Sequence, residues 1–149
     1  MRNRGFLEVL AEKIRQARLG EPQLLEYEEG DSFESAVAVF RAGPFELKVL
    51  HDRGHEFLEL RRADAVGDYV DFDALSVVLG WAKVEDIIRA TTSSADEPPT
   101  GPYWRIDDAL ARLSGNQEKV TRALTPPTLE RTLRRIDEVQ RALANDLLE

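Results

Sequence analysis

The sequence predicts an α+β fold: an N-terminal helix, a three- to four-stranded antiparallel meander, and C-terminal helices packed on the sheet. Three observations predict it. Apolar residues repeat at helical spacing near both ends of the chain, and they alternate with polar residues between positions 23 and 62. Short glycine- and proline-containing turns join the alternating runs, which suits antiparallel neighbours and leaves no room for parallel crossovers. At 149 residues, 42% hydrophobic and 32% charged, the chain is long enough to bury a core as one domain spanning residues 1–149.

Each element has its own local reason. Phe6, Leu10, Ile14 and Ala17 form one stripe, widened by Leu7 and Val9, so a helix is expected over about Arg4 to Leu19. Gly20 and then Glu21-Pro22 end it, because glycine accepts a left-handed cap and proline cannot extend the ladder. "QLLEYE" reads as a short strand, and "SAVAVFRA", rich in β-branched and aromatic residues, stops at Gly43-Pro44. "FELKVL" sets Phe45, Leu47 and Val49 against Glu46 and Lys48, and "EFLELR" sets Leu58 and Leu60 against Phe57, Glu59 and Arg61.

Helices follow the strands. "DFDALSVVLGW" is expected to be one, capped by Asp71 or Asp73 and closed by Gly80, with "KVEDIIRAT" as a second short piece. "TSSADEPPTGP" reads as a surface loop near 91–102. "WRIDDALARL" carries Ile106, Ala109, Leu110 and Leu113 on one stripe, and Ser114 to Gln117 has the capping-box pattern for "QEKVTRAL". Thr125-Pro126-Pro127 opens the last helix, whose stripe runs Leu129, Leu133, Ile136, Val139 or Gln140, Leu143 and Leu147. The expected core contains Phe6, Leu10, Ile14, Phe40, Phe45, Leu47, Val49, Leu75, Leu79, Ile106, Leu110, Leu133 and Ile136.

Charge narrows the partners. The net charge is −8, distributed unevenly: residues 21–36 hold six acids and no base, and residues 63–108 sum to −7. Such a surface repels nucleic-acid backbone and anionic membrane and attracts basic proteins. An acidic, solubilising face is the plainer interpretation of the same numbers. No apolar run approaches the ~20 residues of a transmembrane helix. The amphipathic "LEVLAEKIRQARL" cannot serve as a signal-peptide core, so secretion is not expected. The chain has no cysteine, which excludes disulfides and thiolate metal sites and suits the cytoplasm.

Both histidines lie in "VLHDRGHEFLEL", four residues apart. On a helix that spacing would pair two imidazoles over a metal. Here the flanks are strands and Asp52-Arg53-Gly54 is turn chemistry, so His51 and His55 are expected to face each other across a hairpin without metal. No Gly-x-Ser-x-Gly elbow, phosphate loop or dinucleotide fingerprint is present. Glu26, Glu28, Asp71 and Asp73 could in principle act as paired carboxylates, but among 28 acids chance pairs are expected. The arginines of the last helix alternate with acids, as on an ordinary solvated face. No catalytic residue, cofactor or metal ligand is expected.

Three stretches, "FELKVLHDRGHEFLEL", "YVDFDALSVVLGW" and "RIDDALARLSGNQEKVTRALTPPTLERTLRRIDEVQRAL", cover most of the chain from Phe45 on. In layout they resemble bacterial immunity proteins, which protect a cell from its own polymorphic or contact-dependent growth-inhibition toxin. The resemblance implies a small, cytoplasmic, non-catalytic antitoxin that binds a cognate toxin domain and blocks its active site. Many such toxins are basic, and the acidic blocks nominate Glu26, Glu28, Glu29, Asp31, Asp68, Asp71 and Asp73 as the binding surface. Two alternatives belong to other classes. One is a chaperone-like adaptor for a secreted effector, to be recognised by an apolar groove or an open sheet edge. The other is a small carboxylate-dependent enzyme, to be recognised by a deep polar pocket.

Overall fold

Alternation builds the centre of the molecule, and what lies above one of its faces completes the core. The computed structural model describes residues 4–30, 35–65, 67–91 and 102–148, without the side chains of 4, 91 and 146–148. Along these residues run α1 (Arg4–Gln16), β1 (Gln23–Glu29), β2 (Ser35–Ala42), β3 (Phe45–Asp52), β4 (His55–Arg62) and β5 (Val70–Asp71). Then come α2 (Phe72–Val78), α3 (Val84–Thr91), α4 (Ile106–Ser114), α5 (Gln117–Ala123) and α6 (Thr128–Leu148). The loop expected near 91–102 falls almost wholly outside the described residues. No helix among those described is long and apolar enough to cross a membrane.

The sheet is an antiparallel meander in the order β1-β2-β3-β4-β5. It is the predicted arrangement with a fifth strand of only two residues, too short to show alternation. Arg53 and Gly54 connect β3 to β4 with φ of 52° and 84°. Positive φ at both positions is the I′ geometry whose twist matches a two-residue hairpin. Gly43, at φ 57°, opens the β2–β3 turn, and a Cβ there would sit 2.4 Å from the Leu19 carbonyl oxygen. Glycine is required at that point because the α1–β1 connection passes backbone against backbone.

One face of the sheet is apolar through its middle, with His51, Glu56 and Arg62 at the ends of its strands. Ala38, Phe40, Phe45, Leu47, Val49, Leu58 and Leu60 share a cluster with Leu10 and Ile14 of α1, Leu75 of α2, Ile106 and Leu110 of α4, and Ile136 of α6. Strand alternation puts these side chains on the same side, so burying them needs helices on that side only. α2 and α4 pack on β4, and α6 lies over α2, α3 and α5 as an outer helix.

Several expectations need correction. α1 stops at Gln16 rather than Leu19, because Arg18 turns left-handed at φ 62° and drops Leu19 into the core. Val9, expected in the stripe, is 55% exposed. Phe6 and Leu79 are half-buried against the core. Leu133 is 43% exposed, and Thr132 takes its place on the inner stripe with Leu129, Ile136, Val139 and Leu143. Both stripes have legal helical spacing, and Thr132 tolerates burial because its hydroxyl donates to the Thr128 carbonyl at 3.2 Å.

The expected capping box does not form. Asn116 occupies the cap position of α5 and donates its side-chain amide to the Arg112 carbonyl at 2.8 Å, while Ser114 closes α4. Thr125 likewise bonds backward, to the Thr121 carbonyl, and α6 begins at Thr128.

Candidate functional site: the uncovered sheet face

Because β-strand side chains alternate, the face opposite the core is fully specified by register. One row across it is Glu28, Val37, Leu50 and Phe57; the next is Glu26, Val39, Lys48, Glu59 and Asp71. A third holds Arg41, Glu46 and Arg61. A bulge between Leu24 and Glu26 inserts Leu25 as an extra residue, so Tyr27 pairs with Ala38 on the core side while Glu26 and Glu28 project from the open face. Neither glutamate forms an ion pair or side-chain hydrogen bond among the described residues.

Tyr69 roofs the third row. Its hydroxyl donates to Glu46 Oε1 at 3.3 Å, its ring centroid lies 4.4 Å from the Arg61 guanidinium carbon, and Lys48 Nζ sits 5.3 Å from that centroid. Arg61 donates to Glu46 at 3.4 Å and to the Gly67 carbonyl. The Glu46 carboxylate is thus buried with partners, the condition under which a buried charge is tolerated. Burial, and then the Glu46 charge, raise the Tyr69 phenol above its ordinary pKa. Among the described residues, the half of the face nearer the β3–β4 hairpin has no such roof, and Leu50 there is 36% exposed.

The nominated acids have separate fates. Glu26 and Glu28 stand on the open face. Glu29 accepts from the Tyr27 hydroxyl at 3.3 Å on the other side of the strand, and Asp31 lies outside the described residues. Asp68 is exposed in the β4–β5 connection. Asp71 caps α2, accepting from the Ala74 N–H at 2.9 Å. Asp73 accepts from the backbone N–H groups of Tyr103 and Trp104 at 2.8 and 3.2 Å, tying the start of α4 to α2. Both are scaffold carboxylates.

The two acidic blocks are not brought together. β1 and β5 form opposite edges of the sheet, four spacings of ~4.8 Å apart, or about 19 Å.

The hairpin histidines are placed otherwise than expected. His51 pairs with Glu56 and His55 with Asp52, so strand alternation sends the two imidazoles to opposite faces. The His51 ring lies 5.0 Å from Phe6 under α1. A single ion cannot be ligated from both faces. No group of three or more His, Cys, Asp or Glu among the described residues could hold a metal.

A cleft of about 350 Å³ beside the hairpin tip is lined by Lys13, His55, Glu56, Arg105 and Asp107 among others, and Lys13 is ion-paired to Asp107 at 3.2 Å.

The open-face contribution of Leu50 and Phe57 was legible as apolar residues out of phase in two alternating strands. The Tyr69 roof was not, because no local pattern directs a loop tyrosine over a sheet. The chain matches no family model, no curated protein and no solved structure.

Proposed function

We propose that the chain is a non-catalytic immunity protein that binds and neutralises a cognate bacterial toxin domain of basic character. One observation carries this reading: Glu26 and Glu28 project, without an ion pair among the described residues, from a sheet face that the described helices leave open. Carboxylates in that position raise the encounter rate with a basic surface and supply acceptors for arginine and lysine. Nucleic acid and anionic membrane carry the wrong sign for the same surface. In this reading the protein acts in the cytoplasm, needs no cofactor and has no catalytic residue. Glu26 and Glu28 are the leading contacts, with Asp68 a peripheral one, and Asp71 and Asp73 serve the scaffold.

A second reading, an adaptor for a secreted effector, is favoured by the position of β1 at the sheet edge, where an extended segment pairs in strand-addition complexes. Co-expression separates the two. With the toxic domain encoded beside this chain, growth should be restored and a stoichiometric complex with the folded domain recovered. Failure of both rescue and complex formation would sink the immunity reading. Binding only to an unfolded segment would favour the adaptor.

A further inference from the structure

Solvent-facing strand positions ordinarily carry polar residues, yet Val37, Leu50 and Phe57 lie side by side across β2, β3 and β4 on the face away from the core. Glu28 extends this row onto β1, and Glu26 and Glu59 stand in the row beside it. The cation of those two rows, Lys48, leans toward the Tyr69 ring at 5.3 Å. The unroofed half is therefore an apolar strip with carboxylates on its flanks.

We propose that this half of the sheet face is a docking surface for a basic protein segment, which seats an apolar side chain on Leu50 and Phe57 and turns arginine or lysine toward Glu26, Glu28 and Glu59. The inference rests on the toxin-binding reading for its biological setting and names the surface that reading would use. Charge complementarity selects the occupant. A second copy of the chain would set these carboxylates against their own kind, and like charges in close register repel. A neutral apolar ligand would strip water from the acids and leave them without partners. Guanidinium forks satisfy carboxylates bidentately while the apolar strip excludes water around them.

The test uses the intact ¹⁵N-labelled chain and three synthetic heptapeptides. The first alternates arginine with valine and phenylalanine; the second replaces its arginines with glutamate; the third replaces its apolar residues with serine. The first should shift the amide resonances of Val37, Leu50, Phe57 and Glu28, and the third should bind at least fivefold more weakly. The second should not bind. Leu50→Ser should weaken binding of the first peptide at least fivefold at any salt concentration. Glu26→Gln with Glu28→Gln should weaken it at 50 mM salt and much less at 500 mM. Unchanged spectral dispersion will show that the variants remain folded. Equal binding of the first two peptides, shifts centred on the helical side, or no binding at millimolar peptide would overturn the proposal. So would concentration-dependent self-association through this face without peptide. Toxin neutralisation that leaves the sheet-face resonances untouched would sink this surface and spare the immunity reading. Peptide binding here without neutralisation would do the reverse.

Discussion

Asp71 and Asp73 sit two residues apart and are both withdrawn from solvent, but they hold different things in place. Asp71 caps α2, and burial pushes its carboxyl up to about 6; the Ala74 N–H bond resists, while the charges of Asp73 and Glu59 add to the rise. Asp73 is also raised by burial, against the pull of the Tyr103 and Trp104 N–H groups. A carboxyl whose folded pKa is raised keeps its proton longer in the native state than in the unfolded chain. Between about pH 4 and pH 6 the native state therefore binds more protons at Asp71, and stability falls as pH rises through that window. The loss is on the order of 3 kcal/mol for this group. Asparagine caps a helix as well as aspartate and does not titrate. Asp71→Asn should therefore remove this fall and leave the protein at least as stable as the parent at pH 7, as measured by urea midpoints across pH 4–7. A parent-like slope in the variant would assign the titration elsewhere.

At the scale of elements, α6 shows how a helix selects one of two legal stripes. Leu129 and Ile136 belong to both, and the choice between Thr132 and Leu133 is made by the packing of α6 against α2, α3 and α5. A buried leucine would add more apolar area than threonine, so sequence preference alone points the wrong way. Thr132 is 4% exposed and satisfies its hydroxyl within the helix, so its burial leaves no donor unpaired. Ile136→Ala should cost about 2–4 kcal/mol, the usual range for emptying a packed site. Leu133→Ala should stay within about 0.5 kcal/mol. Denaturant unfolding with equal slopes for the two variants measures the contrast, and a larger loss at Leu133 would return the helix to the other stripe.

Across the whole molecule, strand order controls how the acidic charge can act. The −8 total suggests one large negative field, but a meander places its first and last strands as far apart as the sheet permits. About 19 Å separates those edges, more than twice the Debye length of about 8 Å at physiological salt. The blocks consequently act as two local fields, with Glu26 and Glu28 at one edge and Asp71 at the other, while Asp68 is exposed in the β4–β5 connection. Reversing Glu26 and Glu28 to lysine should slow association with the toxin domain at least tenfold at low salt and flatten its salt dependence. Reversing Asp68 should change the rate less than twofold. Stopped-flow association at 50 and 500 mM salt tests this, and equal effects at both edges would mean that the fields act together.

Local chemistry made much of the architecture legible. β-Branched and aromatic content with the Gly43-Pro44 stop bounded β2 at Ser35–Ala42, and Asp52-Arg53-Gly54 marked the β3–β4 turn because aspartate bonds its own backbone and glycine takes positive φ. Asp71 was nameable as a cap because capping involves only three neighbouring residues. Other decisions were never local. Alternation divides each strand into two faces without saying which the helices will cover, so the open face emerged only once Leu10, Ile14, Leu75 and Leu110 had gathered on the other. Asp73 was an equal candidate for the cap and for surface charge until Tyr103 and Trp104, some thirty residues later, brought it their N–H groups. His51 and His55 looked like a pair until register sent them to opposite faces. The sequence by itself determined the elements and their polarity, because those depend on neighbours within a few residues. Only the tertiary structure decided which acids remained exposed and which became scaffold, because that depends on contacts between distant segments whose alternatives have equally good local patterns.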